Sequence, residues 1–310
     1  MALVHKEVIQ DVNKFLTNFA TFYKAGNDVA NFVAPPFKVK FEDGKYTEYT
    51  KSILRVWDDK IKGDEEPREI QWNIDEATYS CEEYAMGKFV SDKKKAQAEL
   101  PVNLDKDAVK FLKRFHNMAR EYRISNIAGN AALITQTGTP VTKWSVAGGT
   151  PVSDIIDAKG VVENATAGYI PNKILIDSQS AMKLIKTTEW KDYFKYTESG
   201  FGKGLWSAVS GLRFLGLEPM IANNYGLSEA KCTASDPRSE ALWEEKCLVF
   251  YSEETPTLET RTFMYSPYVW QNIITTTRMT RRRGVYHDIY SDIDELLVDA
   301  QCAYLYTNVL

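Results

Sequence analysis

Between residues 105 and 128 the apolar residues recur at helical spacing: Ala108, Phe111, Leu112, Phe115, Met118, Ala119 and Tyr122 follow an i, i+3, i+4, i+7 template. Lys110, Lys113, Arg114, Arg120 and Glu121 fall largely elsewhere. The pattern predicts an amphipathic helix, and the narrowness of the apolar stripe predicts that it lies on a sheet with its other face wet. Asn103 or Asp105 can cap its start with a side-chain oxygen, and Gly129 can close it. At 1.5 Å per residue the rod is roughly 36 Å long, which demands a large or elongated partner surface.

A second feature is a β excursion over residues 37–74. Phe37, Val39 and Phe41 alternate with Lys38, Lys40 and Glu42, and Asp43-Gly44 then suits a type I′ hairpin turn. Tyr46, Tyr49, Ile53, Val56 and Trp57 continue it to an acidic tip, Gly63-Asp64-Glu65-Glu66-Pro67. Ile70, Trp72 and Ile74 return, alternating with Glu69, Gln71 and Asn73. The stretch holds too few apolar residues per length to bury both faces within its own subunit. It asks for a partner. Ahead of it, Val8, Val12, Phe15, Leu16, Phe19 and Phe22 predict an amphipathic arm, closed by Pro35-Pro36.

Residues 130–152, rich in Thr, Gly and Pro, read as irregular connection. An α/β rhythm follows. A helix is expected over 154–164, with Ile155, Ile156, Ala158 and Val162 as its apolar face. A strand at 173–176, a helix at 178–186 and a third helix within 201–217 come next, then strands at 218–224 and 246–252. Two short strands are expected at 260–265 and 269–277, and the tail 294–310 suits either helix or strand.

The bulk properties exclude several classes. The 310 residues are 44% hydrophobic and 26% charged, ordinary globular values with enough apolar mass for a real core. A net charge of −4 does not suit a protein whose main task is coating nucleic acid. No apolar run is long enough to span a bilayer, and the first residues lack a signal-peptide pattern, so no membrane partner and a reducing, cytosolic site of synthesis are expected. Cys81, Cys232, Cys247 and Cys302 are far apart and read as plain thiols; with His5, His116 and His287 scattered, no metal site is expected. Gly200, Gly202 and Gly204 lack phosphate-loop spacing. No nucleophile, base and orienting group occur together, so neither catalytic residues nor a cofactor are assigned.

Several segments in order resemble the major capsid proteins of tailed double-stranded DNA phages, whose fold is named for phage Hong Kong 97. The most specific is residues 72–104, with Tyr79-x-x-Glu82-Glu83-Tyr84-Ala85, a charged turn and Ala96-x-Ala98 before the long helix. Arg120-Glu121 followed by Arg123 is the next. Trp144 ahead of Asp154-Ile155-x-x-Ala158, and Pro171-Asn172 leading a short strand into a helix, complete the likeness. It runs from about residue 30 onward. The resemblance implies an α+β fold with an N-terminal arm (1–35), an extended β-hairpin loop (36–75), a peripheral domain carrying a long spine helix (76–150 and 259–290) and an axial α/β domain (151–258 and 291–310). It implies a non-enzymatic virion subunit that assembles in the host cytoplasm as hexamers and pentamers of an icosahedral shell around double-stranded DNA. A separate scaffolding protein, a portal and decoration proteins are the implied partners. An encapsulin-type nanocompartment subunit and an α/β enzyme with its site in 151–258 are the rival readings.

Trp57, Asp64, Glu65, Glu66 and Trp72 in the loop, with the basic run Arg278, Arg281, Arg282 and Arg283, are the candidate inter-subunit contacts. The arginines are read as ion-pairing with an acidic neighbour such as the tip at 64–66; weak, sequence-independent contact with packaged DNA is the alternative. Covalent crosslinking through Lys45, Lys51, Lys60 or Lys62 is not expected, because nothing singles out one lysine with an asparagine and a carboxylate.

Overall fold

The computed structural model describes residues 16–17, 20, 28–48, 60, 75–97, 103–193, 209–223, 225–226 and 240–310. In chain order these form α1 (Val29–Val33), β1 (Pro36–Lys38), β2 (Asp43–Glu48), β3 (Asp75–Ser80), β4 (Glu82–Ser91), α2 (Asp92–Ala96) and α3 (Leu104–Ala128). Next come β5 (Gln136–Gly138), α4 (Pro151–Thr166), β6 (Lys173–Asp177), α5 (Ser178–Leu184), α6 (Thr188–Tyr193), β7 (Glu218–Ala222), β8 (Tyr225–Gly226), β9 (Glu240–Ala241) and β10 (Cys247–Phe250). The chain finishes with β11 (Met264–Met279), β12 (Gly284–Ile293), β13 (Leu296–Leu297) and β14 (Ala303–Tyr306).

Two sheets carry the architecture. The first has the order β1-β11-β12-β4, with β13 added on β11. Its long β11–β12 hairpin is antiparallel, and β4 pairs with β12 without a break in register from Ser91 opposite Gly284 to Glu82 opposite Ile293. The second has the order β5-β14-β10-β6-β7 and mixes parallel and antiparallel neighbours. Its central strands β6 and β10 are buried along their whole length, as continuous apolar runs between covered faces should be.

The long helix begins where Asn103 accepts a hydrogen bond from the Lys106 N–H at 3.2 Å and ends where Gly129 N–H reaches the Ser125 carbonyl. It packs on β4 and β12. Asp177 caps α5, accepting from the N–H groups of Gln179 and Ser180. Proline at the first position of α4 supplies a preset helical φ where no backbone donor is needed.

A cluster between the two sheets joins them. Val29, Phe32 and Val33 of α1 and Ile124 and Ala128 at the end of α3 meet Leu175, Leu248, Phe250, Phe263, Met264 and Leu305. A second cluster fills the far face of the second sheet around Trp144, Trp190, Ile174, Ile176 and Val249. Trp144 is fixed there by its indole N–H to the Asp154 carboxylate at 2.8 Å.

Four expectations are corrected, and the tail, left open between helix and strand, is resolved. Asp43-Gly44 is not a turn but the start of β2, which pairs with β3; Gly44 lies opposite Tyr79, whose ring takes the space a Cβ would fill. The two strands expected at 260–265 and 269–277 are one 16-residue strand, its alternation interrupted by register shifts between Tyr268 and Ile273 and by Asn272 at φ 55°. The tail forms a 3-10 turn and then a strand, β14, paired on both sides. Ile156 faces outward, because Ile155, Ala158 and Val162 already fill the inward stripe of α4. The connection 130–152 contains a strand, β5, which adds to the edge of the second sheet beside β14.

Candidate assembly surface

The long helix also departs from expectation in which face it buries. Its inner face carries Ala108, Val109, Leu112 and Ile124, but also Lys113, His116, Arg120, Glu121 and Ser125. Phe111, Phe115 and Tyr122 of the expected buried stripe stand outward, 46%, 38% and 42% exposed.

Each buried polar group has a stated reason to be inside. The Arg120 guanidinium donates to the Asn31 side-chain oxygen, the Ala34 carbonyl at 3.0 Å and the Ser266 hydroxyl at 3.2 Å, tying α1 and β11 to the helix. Glu121 accepts the Trp243 indole N–H at 3.2 Å. Lys113 donates to the Ala20 carbonyl. Arg123 forks onto the Glu295 carboxylate at 2.7–3.2 Å, with its guanidinium stacked 3.6 Å over the Tyr84 ring. His116 Nε2 shares a 2.9 Å hydrogen bond with Ser291 Oγ; burial first, then the charges of Arg123 and Arg120, push its pKa down to about 4. A polar face can be inward because it meets hydrogen-bonding partners at every turn.

The outward aromatics have no such cover. Phe111 and Phe115 lie with ring centroids 4.5 Å apart, and the Lys88 ammonium of β4 sits 3.4 Å over the Phe111 ring. β4 is itself an edge strand of the first sheet. β2 and β3, paired from Asp43 opposite Ser80 to Glu48 opposite Asp75, make the root from which residues 49–74 depart.

Trp57, Asp64, Glu65, Glu66 and Trp72 lie outside the described residues, as do Lys51, Lys62, Cys232 and the glycines at 200–204. Lys45 pairs with Glu76, and that hydrogen bond, then the carboxylate's charge, raises its pKa, the reverse of what a nucleophilic lysine needs. Arg278 is held bidentately by Asp92 at 2.7 and 3.1 Å. Arg281, Arg282 and Arg283 form the exposed tip of the β11–β12 hairpin, and the fold brings Lys93 and Lys94 of α2 to the same end: the Asp92 N–H donates to the Arg283 carbonyl at 3.0 Å. Sequence reading missed the outward aromatics because it allowed the helix one stripe. The residues 113, 116, 120, 121 and 124 keep helical spacing too, and that second stripe was the available signal.

Cys81, Cys247 and Cys302 are free thiols, and burial raises the pKa of each. Among the described residues no group of His, Cys, Asp or Glu is arranged to hold a metal ion, and no helix is long and apolar enough to cross a membrane.

No protein-family model matches the sequence, and no curated protein matches it. Solved structures do match. A phage-related protein from Bordetella bronchiseptica RB50 superposes with a TM-score of 0.74 at 15% identity, over 96% of this chain and 97% of that one. The capsid of the cyanophage P-SCSP1u gives 0.55 at 11% identity, over 88% and 86%. The chain has the phage-capsid fold. An encapsulin, SrpI from Synechococcus elongatus PCC 7942, shares this capsid fold at a TM-score of 0.54 and 9% identity, over 92% and 88% of the two chains.

Proposed function

We propose that this chain is the major head protein of a phage: a non-enzymatic subunit that assembles as hexamers and pentamers into an icosahedral shell enclosing double-stranded DNA. The observation that carries the reading is the outward aromatic face of α3. A helix that turns hydrogen-bonded polar residues inward and leaves three aromatics outward presents a surface for another subunit. The extended loop of one subunit, rooted at β2–β3, lies over this stripe on the next, with Trp57 and Trp72 as apolar anchors and Asp64, Glu65 and Glu66 as its acidic tip. Burying each Phe ring there contributes about 2 kcal/mol, repeated at every copy of the contact. The segments 1–35, 36–75, 76–150 with 259–290, and 151–258 with 291–310 serve as arm, loop, peripheral domain and axial domain. A separate scaffolding protein controls closure, and a portal and decoration proteins complete the head.

The second reading is an encapsulin-type compartment, supported by the shared fold with SrpI. Electron microscopy and sedimentation of the purified chain, alone and with its scaffold, test both. We expect capsomers or closed shells, with nuclease-protected DNA in particles from infected cells; protein cargo in place of DNA would favour the second reading. A chain that stays monomeric at all concentrations and salts would overturn both. Phe111→Ser with Phe115→Ser is expected to abolish assembly; because each ring is more than half buried, its loss also costs the subunit about 2 kcal/mol, and circular dichroism of the variant checks that the subunit still folds.

A further inference from the structure

We infer that the β11–β12 hairpin tip, together with α2, is a sequence-independent binding surface for nucleic-acid phosphates. Arg281, Arg282, Arg283, Lys93 and Lys94 are all exposed, and none has an ion-pair partner among the described residues. The nearby acids are engaged elsewhere: Asp92 holds Arg278, and Asp105 holds Lys95 and His287. Five unmatched cations at one end of a chain with net charge −4 need an anionic partner.

Charge alone would suit an acidic segment of a second copy equally well. What separates the two is the rest of the surface. Beside the five cations, the exposed residues of these segments are Thr280, Ala96 and Gln97, and none of the exposed large apolar side chains belongs to them. Contacts between copies need an apolar centre, which the aromatic face of α3 offers and the tip does not. Phosphate contact needs no apolar centre, only cations, and arginine forks match phosphate oxygens bidentately.

The backbone points the same way. Arg283 sits in the left-handed region at φ 48°. Gly284 cannot relieve it, because it is already in the β12 ladder with the Phe89 ring and the Val90 carbonyl where a Cβ would stand. The turn therefore places an arginine at a position where asparagine or glycine would be less strained, and its backbone is held there by the Asp92 N–H. The Arg278–Asp92 fork and the Arg283–Asp92 backbone bond hold the two basic segments together.

The inference gives the enclosed DNA of the proposed shell a contact surface, and rests on that reading only for the source of the nucleic acid. Dissociated subunits would be titrated with a labelled, mixed-sequence DNA duplex over a range of salt. For five neutralised phosphates the log–log slope of affinity against salt is expected near about −4.5, and near about −2 for Arg281→Gln with Arg282→Gln and Arg283→Gln. Affinity at low salt should fall about tenfold or more in that variant. Lys93→Gln with Lys94→Gln, on a separate element, should bring the slope to about −3 and carries the test if the arginine variant fails to fold. Variants that bind DNA as the parent does would overturn the inference. So would a parent that binds a polyglutamate peptide as tightly as DNA. A chain that assembles but does not bind sinks this inference alone; one that binds but never assembles sinks only the shell reading.

Discussion

At the scale of the residue, the buried polar face of α3 makes the fold sensitive to acid at a named position. His116 is neutral inside, with Arg120 and Arg123 beside it, and titrates near 4 rather than the 6.5 of an unfolded chain. Between those values the unfolded state takes up a proton that the folded state refuses. Stability at this site is therefore full above pH 6.5 and is lost as the pH falls toward 4, by about 3 kcal/mol at most. His116→Gln keeps a hydrogen-bonding group for Ser291 but cannot titrate. Urea midpoints followed from pH 6.5 to 4 should fall less steeply in the variant than in the parent; equal slopes would show that other groups set the acid limit. The second helical stripe was a weak signal for the location of this group. A histidine at helical spacing with Lys113 and Arg120 looks like part of a wet face until their partners, Ser291, Ala20 and Asn31, are brought in from distant segments.

At the scale of the element, legibility followed burial on one or both faces. The strands β6, β7 and β10 and the helices α4 and α5 were readable because apolar runs and caps are local signals. The 16-residue β11 read as two strands because Pro267 and the irregular stretch to Ile273 break its alternation, although its ladder with β12 resumes to Met279. Gly44 was misread for a different reason. Glycine serves turns through positive φ and strands through close approach, and sequence does not distinguish them. Here the Tyr79 ring, itself 4% exposed, lies across it. In Gly44→Ala the new Cβ would fall 2.6 Å from ring atoms, so the β2–β3 ladder should lose about 1–3 kcal/mol. Hydrogen exchange along 43–48 and 75–80 would register this as faster opening there, with β11 and β12 unchanged.

At the scale of the whole molecule, the short helix α1 decides whether the two sheets act as one body. Phe32 meets Phe250 edge-on at 5.8 Å, and the Lys173 ammonium lies 5.0 Å from its ring, so one side chain joins the helix to the second sheet while Arg120 joins it to the first. Phe32→Ala is expected to cost about 3–5 kcal/mol. It should also split one calorimetric unfolding transition into two, whereas a single shifted transition would place the coupling elsewhere. Such joints are invisible in sequence, because the pattern of α1 is five residues long and its partners, Arg120 among them, lie 86 or more positions away. The place of β14 has a consequence for how the molecule is made. The last strand of the chain sits between β5 and β10, inside the second sheet rather than at its margin. A ribosome must therefore release residue 306 before that sheet can close, and a product cut short ahead of Ala303 keeps two raw strand edges facing each other. Closure of the second sheet therefore waits on residues 303–306, and a chain lacking them stays open at the centre of that sheet rather than frayed at its margin.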